Sequence, residues 1–324
     1  MVSRLVPDAP PARPTVLPDE AFGELTSPYR HELLVHCYRM LGSVDDAEDT
    51  VQDALVRAWQ GRSTYRHDQS LRAWLYRIAT NACLDAIERR RRGRRSEQPL
   101  GVGPYPDEIL GPATAGPEAR YDAHESISLA FLTALQLLPP RQRAVLILRD
   151  VLGWRAAEVA GLLDLSVPAV NSALHRARTT VSSRYGSTDR ARRTDGADTG
   201  GRLRSLLDRY VRAWEATDVA GLVALLREDA VVSMPPTVTI IGARAVGEFL
   251  AASVFREGMH FRLLPVRAND VPAFVICSGA AEDPVVRPYS VLLLDVVEGR
   301  IARMTVFTEP ALIARFGVPA QLPA

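Results

Sequence analysis

Apolar positions in the first third of the chain recur at helical spacing. Leu33, Leu34, Cys37, Met40 and Leu41 share one face, and Val44, Ala47, Val51, Leu55 and Ala58 form the stripe of a second helix, with Ser43 as its N-cap and Asp46 three residues on. Leu71, Trp74, Leu75, Ile78 and Ala82 make the stripe of a third helix, which runs on into "ERRRRGRR". Further along, "RAAEVAGLLDLSVPAVNSALHRARTTV" predicts a helix over 156–163, a tight break at "DLS" and a second helix from about Val167 with Val170, Leu174 and Ala177 inward. That is helix-turn-helix spacing.

From residue 202 the pattern changes. Two helices (Leu203, Leu206, Leu207, Tyr210, Val211, Trp214; then Leu222, Leu225, Leu226) precede a strand at "AVVSM" and a helix at "ARAVGEFLAASVF". Three strand-like runs follow, "HFRLLPVRA", "AFVICSG" and "YSVLLLDVVEGRIARMTVF", the last bent into a hairpin at Glu298-Gly299. Helices followed by an antiparallel sheet predict an α+β domain. Proline- and glycine-rich residues 97–119 and polar residues 186–201 read as linkers. The expected organisation is therefore multidomain: a disordered segment 1–19, an all-α unit 20–95, a linker 96–120, an all-α helix-turn-helix unit 121–185, a linker 186–201 and an α+β domain 202–324.

Composition adds three points. At 324 residues and 47 % hydrophobic, the chain can bury cores of ordinary size. The net charge of +1 hides segregation: residues 19–53 sum to −7, 54–100 to +7, 101–140 to −4 and 141–200 to +4. Such bipolarity suggests two partners of opposite sign. Cys37, Cys83 and Cys277 lie far apart without a CxxC or a histidine pair, so no disulfide framework, metal or cofactor is expected. The start lacks an apolar leader, and no run approaches about 18 apolar residues, so a cytoplasmic protein without a membrane partner is expected.

On the third helix, Arg77, Asn81, Asp85, Glu88 and Arg92 form one polar face. Asp85 with Arg89 and Glu88 with Arg92 are i,i+4 pairs in the favourable order, each stabilising its helix by about 0.2–0.5 kcal/mol. A self-paired surface and a nucleic-acid contact both fit the arginines taken alone. The helix before it carries Asp45, Asp46, Asp49, Gln52 and Asp53 opposite its apolar stripe, more carboxylates than a helix N-terminus can use. Together the two helices read as a module that docks a basic protein surface on one side and nucleic acid on the other. In the helix-turn-helix, Ser166, Ala169, Asn171, Ser172, His175 and Arg176 occupy positions that reach base edges, and Arg178 suits a phosphate.

"DDAEDTVQDALVRAW", "LRAWLYRIATNACLDAIERRRR" and "LPPRQRAVLILRDVLGWRAAEVAGLLDLSVPAVNSALHRAR" resemble the two conserved regions of extracytoplasmic-function sigma factors, over about residues 22–182. The resemblance implies a promoter-recognition subunit of RNA polymerase. It assigns Asp46, Asp49, Gln52 and Asp53 to docking on the clamp helices of the largest core subunit. It makes Asn81 the reader of an unstacked −10 base, with Arg72, Trp74 and Arg77 as neighbours and Arg89 and Arg92 holding backbone. The second helix of the helix-turn-helix would read the −35 element. The family often has a lysine or arginine where this chain has Asn171 and an arginine where it has Ala173, which implies one or two lost phosphate or guanine contacts and an altered −35 preference.

Residues 202–324 are similar to the SnoaL-like, NTF2-like fold, a curved sheet wrapped around helices to form a cone. The resemblance implies a tail that tunes the sigma factor's activity, with Trp214, Met234, Phe249, His260, Tyr289 and Phe307 as candidate cavity residues for a small-molecule ligand. His260 has no Asp–Arg or Tyr–Asp constellation beside it, so no catalytic residue is assigned and the chain is not expected to be an enzyme. A stand-alone ligand-responsive helix-turn-helix regulator and an NTF2-fold enzyme with appended DNA-binding helices are the alternatives.

Overall fold

The computed structural model describes residues 19–65, 70–93, 102–107, 128–192, 199–235 and 238–324. Helices α1 (Asp19–Thr26), α2 (Arg30–Leu41), α3 (Val44–Gln60) and α4 (Leu71–Gly93) form the first unit. α2 stops because Gly42 turns left-handed at φ 75°, and α3 starts where the Ser43 hydroxyl accepts from the Asp46 amide at 3.4 Å. Much of the predicted stripes is buried, Cys37, Met40, Leu41, Ala47, Ala58, Leu75 and Ala82 to within 2 % of full burial, while Leu34, Leu55, Leu71, Trp74 and Ile78 are half-buried and α4 also buries Tyr76, Ala79 and Cys83.

The second unit holds α5 (Leu129–Gln136), α6 (Pro140–Leu146), a π-helical turn at Ile147–Val151, α7 (Ala156–Leu163) and α8 (Val167–Arg192). Asp164, at φ 52°, makes the break between α7 and α8, a conformation that Asp and Asn tolerate best among non-glycine residues. The two helical units share one apolar core running from Phe22 to Ala177. Arg143 of α6 is buried in that junction, donating to Gln136 Oε1 at 2.6 Å, to the Gln136 and Leu138 carbonyls at 3.1 and 3.2 Å, and to the Met40 carbonyl at the end of α2. Burial lowers its pKa to about 10.

The C-terminal domain runs α9 (Thr199–Glu215), α10 (Val219–Leu225), β1 (Leu226–Met234), β2 (Val238–Ile241), α11 (Ala243–Phe249), β3 (Met259–Ala268), β4 (Val271–Ala280), β5 (Val285–Val297), β6 (Arg300–Phe307), α12 (Pro310–Ala314) and β7 (Leu322–Pro323). Glu298 and Gly299, at φ 53° and 71°, make the β5–β6 hairpin turn expected at that site. The sheet order is β2-β1-β6-β5-β4-β3, with β7 on β5. The sheet is mixed, not purely antiparallel: after β2 the chain crosses by α11 to the far edge and meanders back, so β6 arrives beside β1 in the same direction. One face packs on α9, α10 and α11; the other buries Val275, Val291, Leu293 and Phe307 against Leu312 and Ile313.

Both expected linkers need correction. Within 96–120, residues 102–107 are packed structure, with Tyr105 fully buried and Val102 nearly so. Within 186–201, α8 continues through Arg192 and α9 begins at Thr199, so the stretch is helical at both ends. Of residues 1–19, expected to be disordered, Asp19 already belongs to α1 and 1–18 lie outside the described residues, as do Arg94 and Arg95.

Candidate nucleic-acid and partner interfaces

Residues 102–107 sit where the first unit meets the C-terminal domain. In the β3–β4 turn, Asn269 adopts φ 52° and is fully buried. Its Oδ1 accepts from the Tyr105 amide at 2.8 Å, its Nδ2 donates to the Tyr38 hydroxyl at 2.8 Å, and its amide donates to the Tyr105 carbonyl at 3.1 Å. Tyr38 donates in turn to the Gly103 carbonyl at 2.8 Å, and the Gly103 amide to the Gly42 carbonyl at 2.9 Å. Asp107 receives the Asp270 amide at 3.0 Å and Arg267 Nε at 3.2 Å. Burial raises the Tyr105 hydroxyl pKa to about 12 and pushes Tyr38 higher still. Just beyond α12, Arg315 grips Glu48 of α3 at 2.9 and 3.1 Å and also reaches Asp45.

The opposite charges of α3 and α4 partly neutralise each other. Asp46 pairs with Arg90, Asp53 with Arg89 at 3.9 Å, and Asp85 with Arg57 at 2.7 Å. The bipolar charge pattern therefore has an internal use as well as any external one, and Asp85 takes an arginine of the neighbouring helix, not Arg89. Glu88 and Arg92 do form the expected pair, at 3.1 Å. Asp49, Gln52 and Asp53 stay exposed. On the same face lie Val56 and Trp59, large apolar side chains 54 % and 44 % exposed. Sequence reasoning passed over both, although their i+4 and i+7 spacing from Gln52, off the buried stripe, was a readable signal.

On α4, Asn81 is exposed and in line with Arg77, Asp85, Glu88 and Arg92. Arg72 is held by Glu32 at 2.9 Å, and its guanidinium lies 5.1 Å from the Tyr76 ring and 6.0 Å from that of Trp154. Trp74 packs on Tyr65 at 5.3 Å, and Arg77 reaches Asp164 of the helix-turn-helix at 3.3 Å. Between the units Arg72, Trp74, Arg77, Trp154, Arg155 and Glu158 line a cleft of about 600 Å³. Behind them His36 bonds Thr80 at 2.9 Å; burial, then Arg39, lowers its pKa to about 3.

On α8, Ser166, Asn171, Ser172, His175, Arg176 and Arg178 are exposed and Ala169 is half-buried. Ser166 Oγ accepts from the Ala169 amide at 3.3 Å and so caps the helix. Arg176 donates to Ser172 at 2.7 Å. Ala173 is only 7 % exposed and packs in the core.

In the C-terminal domain, Trp214 packs among Tyr210, Phe255 and Phe261, and Met234, Phe249 and Tyr289 flank the same cluster. His260 does not join them: strand alternation turns Phe261 inward and His260 outward, where its Nε2 meets the Ala281 carbonyl at 3.0 Å. Phe307 falls on the opposite sheet face for the same reason, out of phase with Met304 and Val306. Among the described residues no cluster of three His, Cys, Asp or Glu side chains could hold a metal, and no helix is long and apolar enough to cross a membrane.

Three family models match in the order of the three units: Sigma-70 region 2 over residues 25–93, Sigma-70 region 4 over 128–181 and SnoaL-like domain over 207–304. The extracytoplasmic-function sigma factor SigG of Mycobacterium tuberculosis is 40 % identical over 322 residues, covering 93 % of this chain and 85 % of its own. SigW of Bacillus subtilis is 28 % identical over 49 % of this chain and 86 % of its own. The crystal structure of M. tuberculosis SigJ aligns over 92 % of this chain and 99 % of its own with a TM-score of 0.61 at 22 % identity, which shows a shared fold. By its units, their order and that near full-length relative, the chain belongs to the extracytoplasmic-function RNA polymerase sigma factors, with a SnoaL-like domain at its C-terminal side.

Proposed function

We propose that the chain docks on core RNA polymerase through α3, opens promoters through α4 and reads the −35 element through α8. It does so as a cytoplasmic transcription factor without chemistry of its own. The observation that carries this is the α3 surface: Asp49, Gln52 and Asp53 exposed beside solvent-facing Val56 and Trp59, an acidic rim with apolar anchors that suits a basic partner. Asn81 supplies a base reader, with Arg72, Trp74, Arg77, Arg89 and Arg92 around it as single-strand and backbone contacts. Asn171, Ser172, His175 and Arg176 supply base-edge contacts, Ser166 and Ala169 the helix start, and Arg178 a phosphate contact.

Arg72 and Arg77 touch the second unit in this structure. Promoter engagement on this reading separates the two units and frees both arginines. The SnoaL-like domain, anchored by Asn269 and Arg315, tunes that separation. A small-molecule ligand in its cone has one supporting observation, the buried Trp214 Nε1 without a hydrogen-bond partner. Co-purification with core polymerase followed by run-off transcription tests the whole. Asp49→Arg with Gln52→Ala should abolish co-purification, and unchanged promoter opening by Asn81→Ala would remove the base-reading role.

A further inference from the structure

Helix α6 ends in the π-helical turn Ile147–Val151, closed by the Leu152 amide on the Ile147 carbonyl at 3.0 Å. Such a turn inserts a residue and re-aims the side chains beyond it. Asp150 leaves it toward α8. Its Oδ2 accepts from Arg178 Nε at 2.8 Å and its Oδ1 from Nη2 at 2.7 Å, a two-point fork that fixes the guanidinium plane. Arg178 lies on the α8 line of Asn171 and His175, at i, i+4 and i+7.

The pair sits at the surface, with the two side chains 60 % and 30 % exposed, where ion pairs contribute little to folding stability. A carboxylate beside a DNA-facing arginine also weakens the attraction to phosphate. Both considerations argue against Asp150 unless it does something for Arg178. Binding one edge of the guanidinium leaves Nη1 and the second Nη2 hydrogen on the other edge, held in one orientation. An arginine otherwise loses that rotamer freedom on binding.

We infer that Asp150 is a positioning residue for promoter binding: it presents the free edge of Arg178 to the DNA backbone at the −35 element. This rests on the reading of the exposed α8 face as the −35 reader.

Charge and positioning give opposite signs. Asp150→Asn removes a negative charge, so a pure charge effect tightens DNA binding. Positioning predicts weaker binding by about three- to tenfold, because the arginine must be ordered at the moment of contact. The test uses the full chain with core polymerase and a fluorescent duplex spanning a promoter mapped by start-site sequencing, titrated across salt concentrations. The expected results are weaker binding by Asp150→Asn, recovery in Asp150→Glu, and, in Arg178→Ala, weaker binding with a fall of about one in the salt slope. Asp150→Asn with Arg178→Ala should bind no worse than Arg178→Ala alone. Unchanged or tighter binding by Asp150→Asn, with Arg178→Ala weakened, overturns the positioning role alone. Unchanged affinity and slope in Arg178→Ala overturns the phosphate contact itself, and the positioning role with it.

Discussion

Asn269→Gly should loosen the seat of residues 102–107 without straining the turn, because glycine adopts the φ of 52° freely. Two side-chain hydrogen bonds disappear. The buried Tyr105 amide, now 2.8 Å from Oδ1, is left without that acceptor, at a cost of about 1–3 kcal/mol. The Tyr38 hydroxyl keeps the Gly103 carbonyl but loses its donor, a further 0.5–1.5 kcal/mol or about that. The sum is about 1.5–4.5 kcal/mol of local opening, and at about 1.4 kcal/mol per decade this is on the order of 10- to 1,600-fold. Hydrogen exchange of the peptide holding residues 102–107 reads this directly, because the Tyr105 amide donates to Asn269 Oδ1. Asn269→Ala should add roughly another fivefold, since alanine resists a left-handed conformation by about 1 kcal/mol or more. Protection within threefold of the parent in Asn269→Gly would refute the accounting.

Arg315→Glu sets a carboxylate against Asp45 and Glu48 and should loosen α12 by about 1 kcal/mol, a modest figure because the Asp45 arm is exposed; exchange at 310–314 measures it. Trp59→Ala should lower core-polymerase affinity tenfold or about that while leaving thermal stability unchanged, as competition binding against the parent chain would report. His36 has its pKa lowered to about 3 in the fold, so the unfolded chain binds more protons from pH 6.5 downward. Stability is then fully present above pH 6.5 and falls as pH drops toward 3, by up to about 1.4 kcal/mol per unit. Urea midpoints from pH 7.5 to 5 should slope accordingly in the parent and flatten in His36→Gln.

Elements were legible where the pattern that makes them is local. The stripes of α2 to α4 and the break at Asp164 follow from 3.6-residue spacing and one left-handed turn. The features that escaped were set by distance. Proline and glycine in 102–107 are turn chemistry, but Tyr105 is buried by Asn269, 164 residues away, which no window can contain. Asp85 had Arg89 one helical turn off and Arg57 across the helix pair, and spacing cannot rank them. The misplacement of His260 and Phe307 was avoidable: the phase of Phe261 turns His260 outward, and that of Met304 puts Phe307 on the opposite, also buried, sheet face. In α8 the exposed face followed from the period, whereas the hold of Asp150 on Arg178 spans 28 residues and a π turn that composition does not announce.

The seat under Asn269 also bears on how the tail is dissected genetically. A chain cut near residue 201 loses more than a domain. It strips the hydrogen-bonded cover from Tyr105 and Tyr38 and releases Asp45 and Glu48 from Arg315 at one stroke. Deletion phenotypes will therefore mix an unmasked connector with a missing regulator, and the two come apart by single substitutions at Asn269 and Arg315 in the intact chain.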